Sequence, residues 1–233
     1  MVTGADRVIV ALDVPTLGEA EELASRLTGH VGWFKVGLEL FGAEGPEAVR
    51  RIGNHGPVFL DLKLHDIPTT VQRAAARLGW LGAGLLTVHA MGGPAMVAAA
   101  VDGLGDRGRI LAVTVLTSMS DEDLRATNQP PAARQVPALA TMAVEAGAPG
   151  LVCAPRDLAA VRSAVGADPL LVTPGIRPEG SGDDDHARSA TPAMALSEGA
   201  DLVVVGRPIT HAADPVEAAD LIASELSSAP TAR

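Results

Sequence analysis

One unit recurs along this chain: a short β-branched run, a turn with charge or glycine, then an Ala- and Leu-rich stretch at helical spacing. The expected strands are Val8–Leu12, Trp33–Val36, Val58–Leu62, Leu85–Val88, Ile110–Leu116, Leu151–Ala154, Leu170–Thr173 and Leu202–Val205. Between them, Leu17, Ala20, Ala24 and Leu27 share a helical face, and helices are expected over Ala43–Ile52, with Pro46 in its first turn, Thr69–Leu78 and Pro94–Val101. Further helices are expected over Asp121–Ala126, Pro137–Ala146, Leu158–Val165, Ala193–Glu198 and Pro215–Leu226. Eight β-then-α units in 233 residues match an α/β fold, a single (β/α)8 barrel domain over residues 1–233, with Ser227–Arg233 a frayed tail. A doubly wound open sheet is the alternative.

Composition matters at three points. The core must be aliphatic, because the chain holds three Phe, two Trp and no Tyr among 47% hydrophobic residues. A net charge of −10 argues against nucleic-acid or anionic-membrane partners, while leaving room for a few local Arg or Lys to hold an anionic ligand. The lone cysteine, Cys153, has no intramolecular disulfide partner and lies in the apolar run Gly150–Ala154, where it reads as core. The first apolar run ends at Asp13, too short for a signal segment or a membrane span, so a cytoplasmic protein is expected.

In a barrel, chemistry sits where strands end and βα loops begin. Asp13 follows the first strand, Lys35 lies late in the second, and Asp61 and Lys63 end the third. Neighbouring strands lie about 4.8 Å apart, so these groups can share one corner as an alternating acid–base cluster. Asp61 and Lys63 are two apart and point the same way on a strand, and Asp66 lies beyond it, where a turn can swing it back or out to a partner chain. A strand-end salt bridge is the bland reading of these residues taken alone. On the far side, Thr173-Pro174-Gly175-Ile176-Arg177 ends strand seven and Gly206-Arg207 ends strand eight, the places where barrels commonly bind phosphate. No histidines are paired at ligand spacing, so no metal is expected.

With these positions assembled, the chain resembles the orotidine 5′-phosphate decarboxylase family. The resemblance rests on Ala11-Leu12-Asp13, Phe34-Lys35-Val36-Gly37, Asp61-Leu62-Lys63-Leu64-His65-Asp66-Ile67-Pro68, Thr87-Val88-His89-Ala90, Leu116-Thr117-Ser118, Thr173-Pro174-Gly175-Ile176-Arg177-Pro178 and Val205-Gly206-Arg207-Pro208. It implies decarboxylation of orotidine 5′-monophosphate to UMP, the last step of de novo pyrimidine synthesis, without metal or organic cofactor, in a homodimer with sites at the interface. It further implies that Asp61 and Lys63 form the catalytic core, with Asp66 and Thr70 reaching the partner's site and Lys35 completing the charge array. Asp13 and Lys35 would bind ribose hydroxyls, Thr117 and Pro174 would line the pyrimidine pocket, and Arg177, Gly206 and Arg207 would hold the phosphate. Two positions depart from the family pattern: Thr69 stands where Asn is usual, and His186 where the phosphate loop usually carries Gln.

Rival readings carry different chemistry. A magnesium-dependent sugar-phosphate decarboxylase of the same suprafamily shares the Asp-x-Lys-x-x-Asp pattern but builds it around a metal ion and an enediolate. A Schiff-base aldolase needs its lysine in an apolar or cationic pocket, the opposite of one flanked by aspartates. A catalytically silent phosphate-binding barrel would be more plausible had Asp61, Lys63 or Asp66 been replaced. His89 reads equally as a hydrogen-bonded core histidine or a site-lining one, and His65 as structural.

Overall fold

The computed structural model describes residues 2–178 and 190–229. Among these, β1 (Val8–Ala11), β2 (Trp33–Val36), β3 (Val58–Leu64), β4 (Ala83–His89), β5 (Arg109–Val113), β6 (Gly150–Val152), β7 (Leu170–Thr173) and β8 (Leu202–Val205) close into one barrel in sequence order. Val8, Ile9 and Val10 register in parallel with Val203, Val204 and Val205, which closes the ring and removes the open-sheet alternative.

Around the strands run α1 (Leu17–Leu27), α2 (Leu38–Glu44), α3 (Pro46–Gly53), α4 (Pro68–Gly79), α5 (Pro94–Leu104) and α6 (Asp121–Ala126). They are followed by α7 (Ala132–Glu145), α8 (Leu158–Val165), α9 (Pro192–Ser197), α10 (Arg207–Thr210) and α11 (Pro215–Ser228). Several starts are fixed by local chemistry. The Thr16 hydroxyl accepts the Glu19 N–H, Ser120 and Asp123 form a reciprocal capping box, and Asp214 accepts the Val216 N–H ahead of Pro215.

Two apolar layers hold the fold. Val8, Val10, Phe34, Val36, Leu60 and Leu86 point outward against helices, while Ile9, Ala11, Phe59, Leu85, Leu111, Val113, Val172 and Val204 fill the barrel itself. The alternation of the two sets along each strand is the period of the pleat. Cys153 is fully buried in the outer layer, and burial pushes its thiol up to about 12, so it behaves as a small core residue.

The structure corrects several element boundaries. The helix expected over Ala43–Ile52 is two helices, because Gly45 at φ 60° ends α2 before Pro46 opens α3. The helix expected from Pro137 starts at Ala132, whose N–H donates to Asp121 Oδ1 at 2.9 Å, and α7 carries Pro137 in its interior. Its buried Val136, Ala140 and Ala143 offset the hydrogen bond that proline lacks. The ladder of β5 ends at Val113, not Leu116, and the chain beyond it turns into the barrel mouth. Residues Ser227 and Ser228, expected in a frayed tail, belong to α11; residues 230–233 lie outside the described part.

The barrel floor is tied by a partly buried ion pair between Arg162 of α8 and Asp201, the residue before β8. Arg162 of α8 donates through Nη1 to the Gly166 and Pro169 carbonyls at 3.0 and 2.9 Å, and through Nη2 to Asp201 Oδ2 at 2.9 Å. Asp201 Oδ2 also accepts the Leu171 N–H at 2.9 Å. Arg162→Met, which keeps the aliphatic stem, should cost about 3 kcal/mol in urea unfolding, because the largely buried Asp201 carboxylate loses the Arg162 guanidinium. A loss under about 1 kcal/mol, the size of a solvated surface pair, would show that the network is screened.

Candidate active site

The site is the interior face of the strands continued upward past the core. On β1 the inward positions run Ile9, Ala11 and then Asp13; on β2, Trp33, Lys35 and Gly37; on β3, Phe59, Asp61 and Lys63. Apolar residues plug the barrel below and charged ones take the same inward positions at the mouth. They line a cavity of about 450 Å³ whose other wall includes Thr117, Ser118, Pro174, Gly175 and Gly206.

The charges alternate in sign. Lys35 Nζ donates to Asp13 Oδ1 at 2.8 Å and lies 3.9 Å from Asp61 Oδ2. Lys63 Nζ contacts both Asp61 oxygens at 2.8 Å. Lys35 is only 8% exposed, so its charge is held out of water by pairing rather than by hydration. Gly37 makes this packing possible: a Cβ there would lie 2.7 Å from both Asp13 Oδ1 and Lys35 Nζ. Its φ of −95° suits any residue, so the constraint is space alone.

Lys63 reaches Asp61 in a way that simple alternation does not describe. Leu60 registers with Leu86 and Leu64 with Val88, so Asp61, Leu62 and Lys63 bulge opposite the single residue Thr87. Lys63 takes φ 49°, left-handed backbone that costs a non-glycine residue about 1–2 kcal/mol. Strain of this kind persists where surrounding contacts hold it, often at functional sites. Thr87 and Gly37 lie within the recognisable motifs, and the signal for a role at the site is their inward position, two past Leu85 and Lys35.

Asp66 stands apart from this array. Its carboxylate accepts the Ile67 N–H at 2.6 Å, and among the described residues no ion pair joins it to Lys63. The expected flanking of Lys63 by two aspartates is therefore half present within one chain. Residues 65–70 are all exposed, Thr69 and Thr70 among them, and Asp66 lines a separate hollow with His65, Ile67 and Met91. His65 thus shares a surface with Asp66. Of the expected phosphate-binding groups, Gly206 lines the cavity and opens α10, beside the exposed Arg207. Arg177 is partly buried, with its N–H donating to the Ala190 carbonyl at 3.0 Å. His186 lies outside the described residues.

His89 does not line the cavity. Its ring stacks on His65 at 5.5 Å, and its Nδ1 accepts the Met91 N–H at 3.2 Å. Burial, with the charges of His65 and Lys63 behind it, holds His89 below the ordinary histidine value of 6.5.

Comparison with known proteins agrees with this architecture. The sequence profile of the "Orotidine 5'-phosphate decarboxylase / HUMPS family" matches residues 6–222. The chain is 56% identical over 225 residues to the orotidine 5′-phosphate decarboxylase of Anaeromyxobacter sp. (strain K), covering 95% of this chain and 99% of that one. It is 49% identical over 232 residues to the enzyme of the same name from Moorella thermoacetica, covering 95% and 92%. Among solved structures, orotidine 5′-phosphate decarboxylase from Lactobacillus acidophilus superposes with a TM-score of 0.85 at 41% identity, covering 95% of this chain and 99% of that one.

The neutral state of His89 should leave a mark on stability. As pH falls below 6.5 the unfolded chain takes up the His89 proton first. The stability gained by keeping the folded ring neutral is therefore complete above that value and is lost as pH drops toward the depressed folded-state value. Asn can supply the same cap acceptor without titrating, so His89→Asn should show a smaller fall in melting temperature between about pH 8 and about pH 5. Equal falls in both proteins would contradict this. A barrel with this charge array, over this length of matching sequence, belongs to the orotidine 5′-phosphate decarboxylase family.

Proposed function

We propose that this protein decarboxylates orotidine 5′-monophosphate to UMP, with Lys63 as proton donor and without metal or organic cofactor. The observation that carries the reading is the Asp13–Lys35–Asp61–Lys63 chain of alternating charge, lining one cavity in a member of this family. Loss of CO₂ breaks the bond from pyrimidine C6 to its carboxyl carbon and leaves the electron pair on C6, with little delocalisation. The Lys63 ammonium stabilises that charge as it forms and then delivers its proton to C6. Asp61 stands against the substrate carboxylate, adding repulsion that CO₂ loss relieves. Asp13 and Lys35 take the ribose hydroxyls, and Thr117 and Pro174 flank the base. Arg177, Gly206 and Arg207, with His186, take the phosphate, whose binding energy far from C6 orders the charged groups.

A homodimer follows from the same reading. Asp66 and Thr70 lie on an exposed run that also carries Ile67, 66% exposed, and they would meet the site of a second copy. We place the enzyme in the cytoplasm as a step of pyrimidine synthesis; no helix among the described residues is long and apolar enough to cross a membrane.

The decisive assay follows the absorbance of orotidine 5′-monophosphate with purified protein in EDTA. Turnover is expected, and Lys63→Ala should lower it by ~10⁴-fold or more while still binding UMP. Near-normal turnover in that variant would remove Lys63 from the mechanism. Activity only with added magnesium, on a keto-sugar phosphate, would favour the metal-dependent relatives instead. Mixing inactive Lys63→Ala and Asp66→Ala proteins should restore activity, because a mixed dimer holds one intact site; no recovery would place Asp66 outside the partner's site.

A further inference from the structure

Thr87 is fully buried on β4, at an inward position opposite the bulge of β3. It does not line the cavity, yet its hydroxyl holds two parts of the charged array. Thr87 Oγ1 accepts the backbone N–H of Lys63 at 2.8 Å and donates to Asp61 Oδ1 at 2.9 Å. A hydroxyl has one proton and two lone pairs, so both bonds form at once, and their direction is fixed because the amide can only donate. Two other buried threonines near strand ends differ: the Thr114 and Thr173 hydroxyls donate to the Val152 and Cys153 carbonyls.

The bulge explains why a side chain is needed here. The ladder between β3 and β4 is interrupted after Leu60 and resumes at Leu64, and the Lys63 N–H within this gap takes the Thr87 hydroxyl as its partner. A buried amide without a partner is costly, so the hydroxyl holds the left-handed turn closed. The same hydroxyl donates a hydrogen bond to the carboxylate that grips Lys63 Nζ. Backbone and side chain of the lysine are thus both referred to one atom of β4.

We propose that Thr87 is a positioning residue for the decarboxylation described above: its hydroxyl fixes the bulge and the Asp61 carboxylate in one arrangement, so that Lys63 Nζ is presented to the reacting carbon. This rests on the decarboxylase reading, and its test separates the two. Thr87→Val keeps the shape and removes the hydroxyl. It should lower kcat by about 10²-fold, as small misplacements of reacting groups do, with UMP affinity and KM within about twofold. Thr87→Ser, which keeps the hydroxyl and loses only the methyl, should recover most of that rate.

A second readout needs no turnover. Hydrogen exchange at the Lys63 amide, followed by NMR, should be slow in wild type and Thr87→Ser and at least about tenfold faster in Thr87→Val. Wild-type kcat together with wild-type exchange in Thr87→Val would overturn the proposal, as would a serine variant no better than valine. If the wild-type protein does not decarboxylate orotidine 5′-monophosphate, the functional reading falls, and amide exchange still decides whether Thr87 holds the bulge. Should Thr87→Val not fold, Thr87→Ala enters the same two measurements with the same expected outcomes.

Discussion

The mouth of this barrel depends on the carboxylate of Asp61. Its two oxygens face Lys63 Nζ, one of them also takes the Thr87 hydroxyl, and Lys35 lies 3.9 Å from the other. Without that carboxylate, two ammonium groups would share one cavity with only the outer Asp13 to balance them. Pairing lets four ionised side chains sit above an aliphatic core at tolerable cost, and it does so before any ligand arrives. A pocket whose charges are already oriented has little reorganisation left to do during a reaction, the condition under which fixed charges contribute most to lowering a barrier.

Much of this was legible in the sequence because parallel strands covered on both faces leave a strong trace: short aliphatic runs with a charge only where the run leaves the core. Lys35, Asp61 and Lys63 stood out for that reason, and Asp13 by its place just after β1. Other features were hidden for physical reasons. Gly45 and Pro46 mark the break between α2 and α3, but the helical spacing on either side of them reads as one continuous helix. Pro137 looked like a helix start because proline favours first turns, but tertiary burial of α7 outweighed local preference. Thr87 resembles any strand threonine, and its importance appears only once the bulge opposite it is known. Asp66 stands on an exposed run away from Lys63, a separation that its spacing just past the strand does not reveal.

The same geometry separates two kinds of residue at the site. Lys35, Asp61 and Lys63 lie within β2 and β3, and Asp13 lies two residues past β1, held to Lys35 by its carboxylate. Thr117, Pro174, Gly175 and Gly206 come from segments beyond strand ends, where the backbone is free of the ladder. Rigid placement of the reacting groups and adaptable placement of the groups that would embrace a ligand is a common division of labour in barrel enzymes.

Ring closure has a further consequence, for the time at which this protein becomes itself. The seam joins β1 to β8, and the Gly4 N–H donates to the Ser227 hydroxyl across 223 residues of sequence. A Cβ at Gly4 would lie 1.8 Å from the Ala223 carbonyl oxygen, so the two ends fit together only without one. During synthesis the edge of β1 that pairs with β8 must therefore wait, after β2 has taken the other edge, until β8 has emerged. The contacts that close the ring are among the most distant in sequence, and a chain interrupted before β8 holds an open sheet with two exposed edges in place of a cylinder with none.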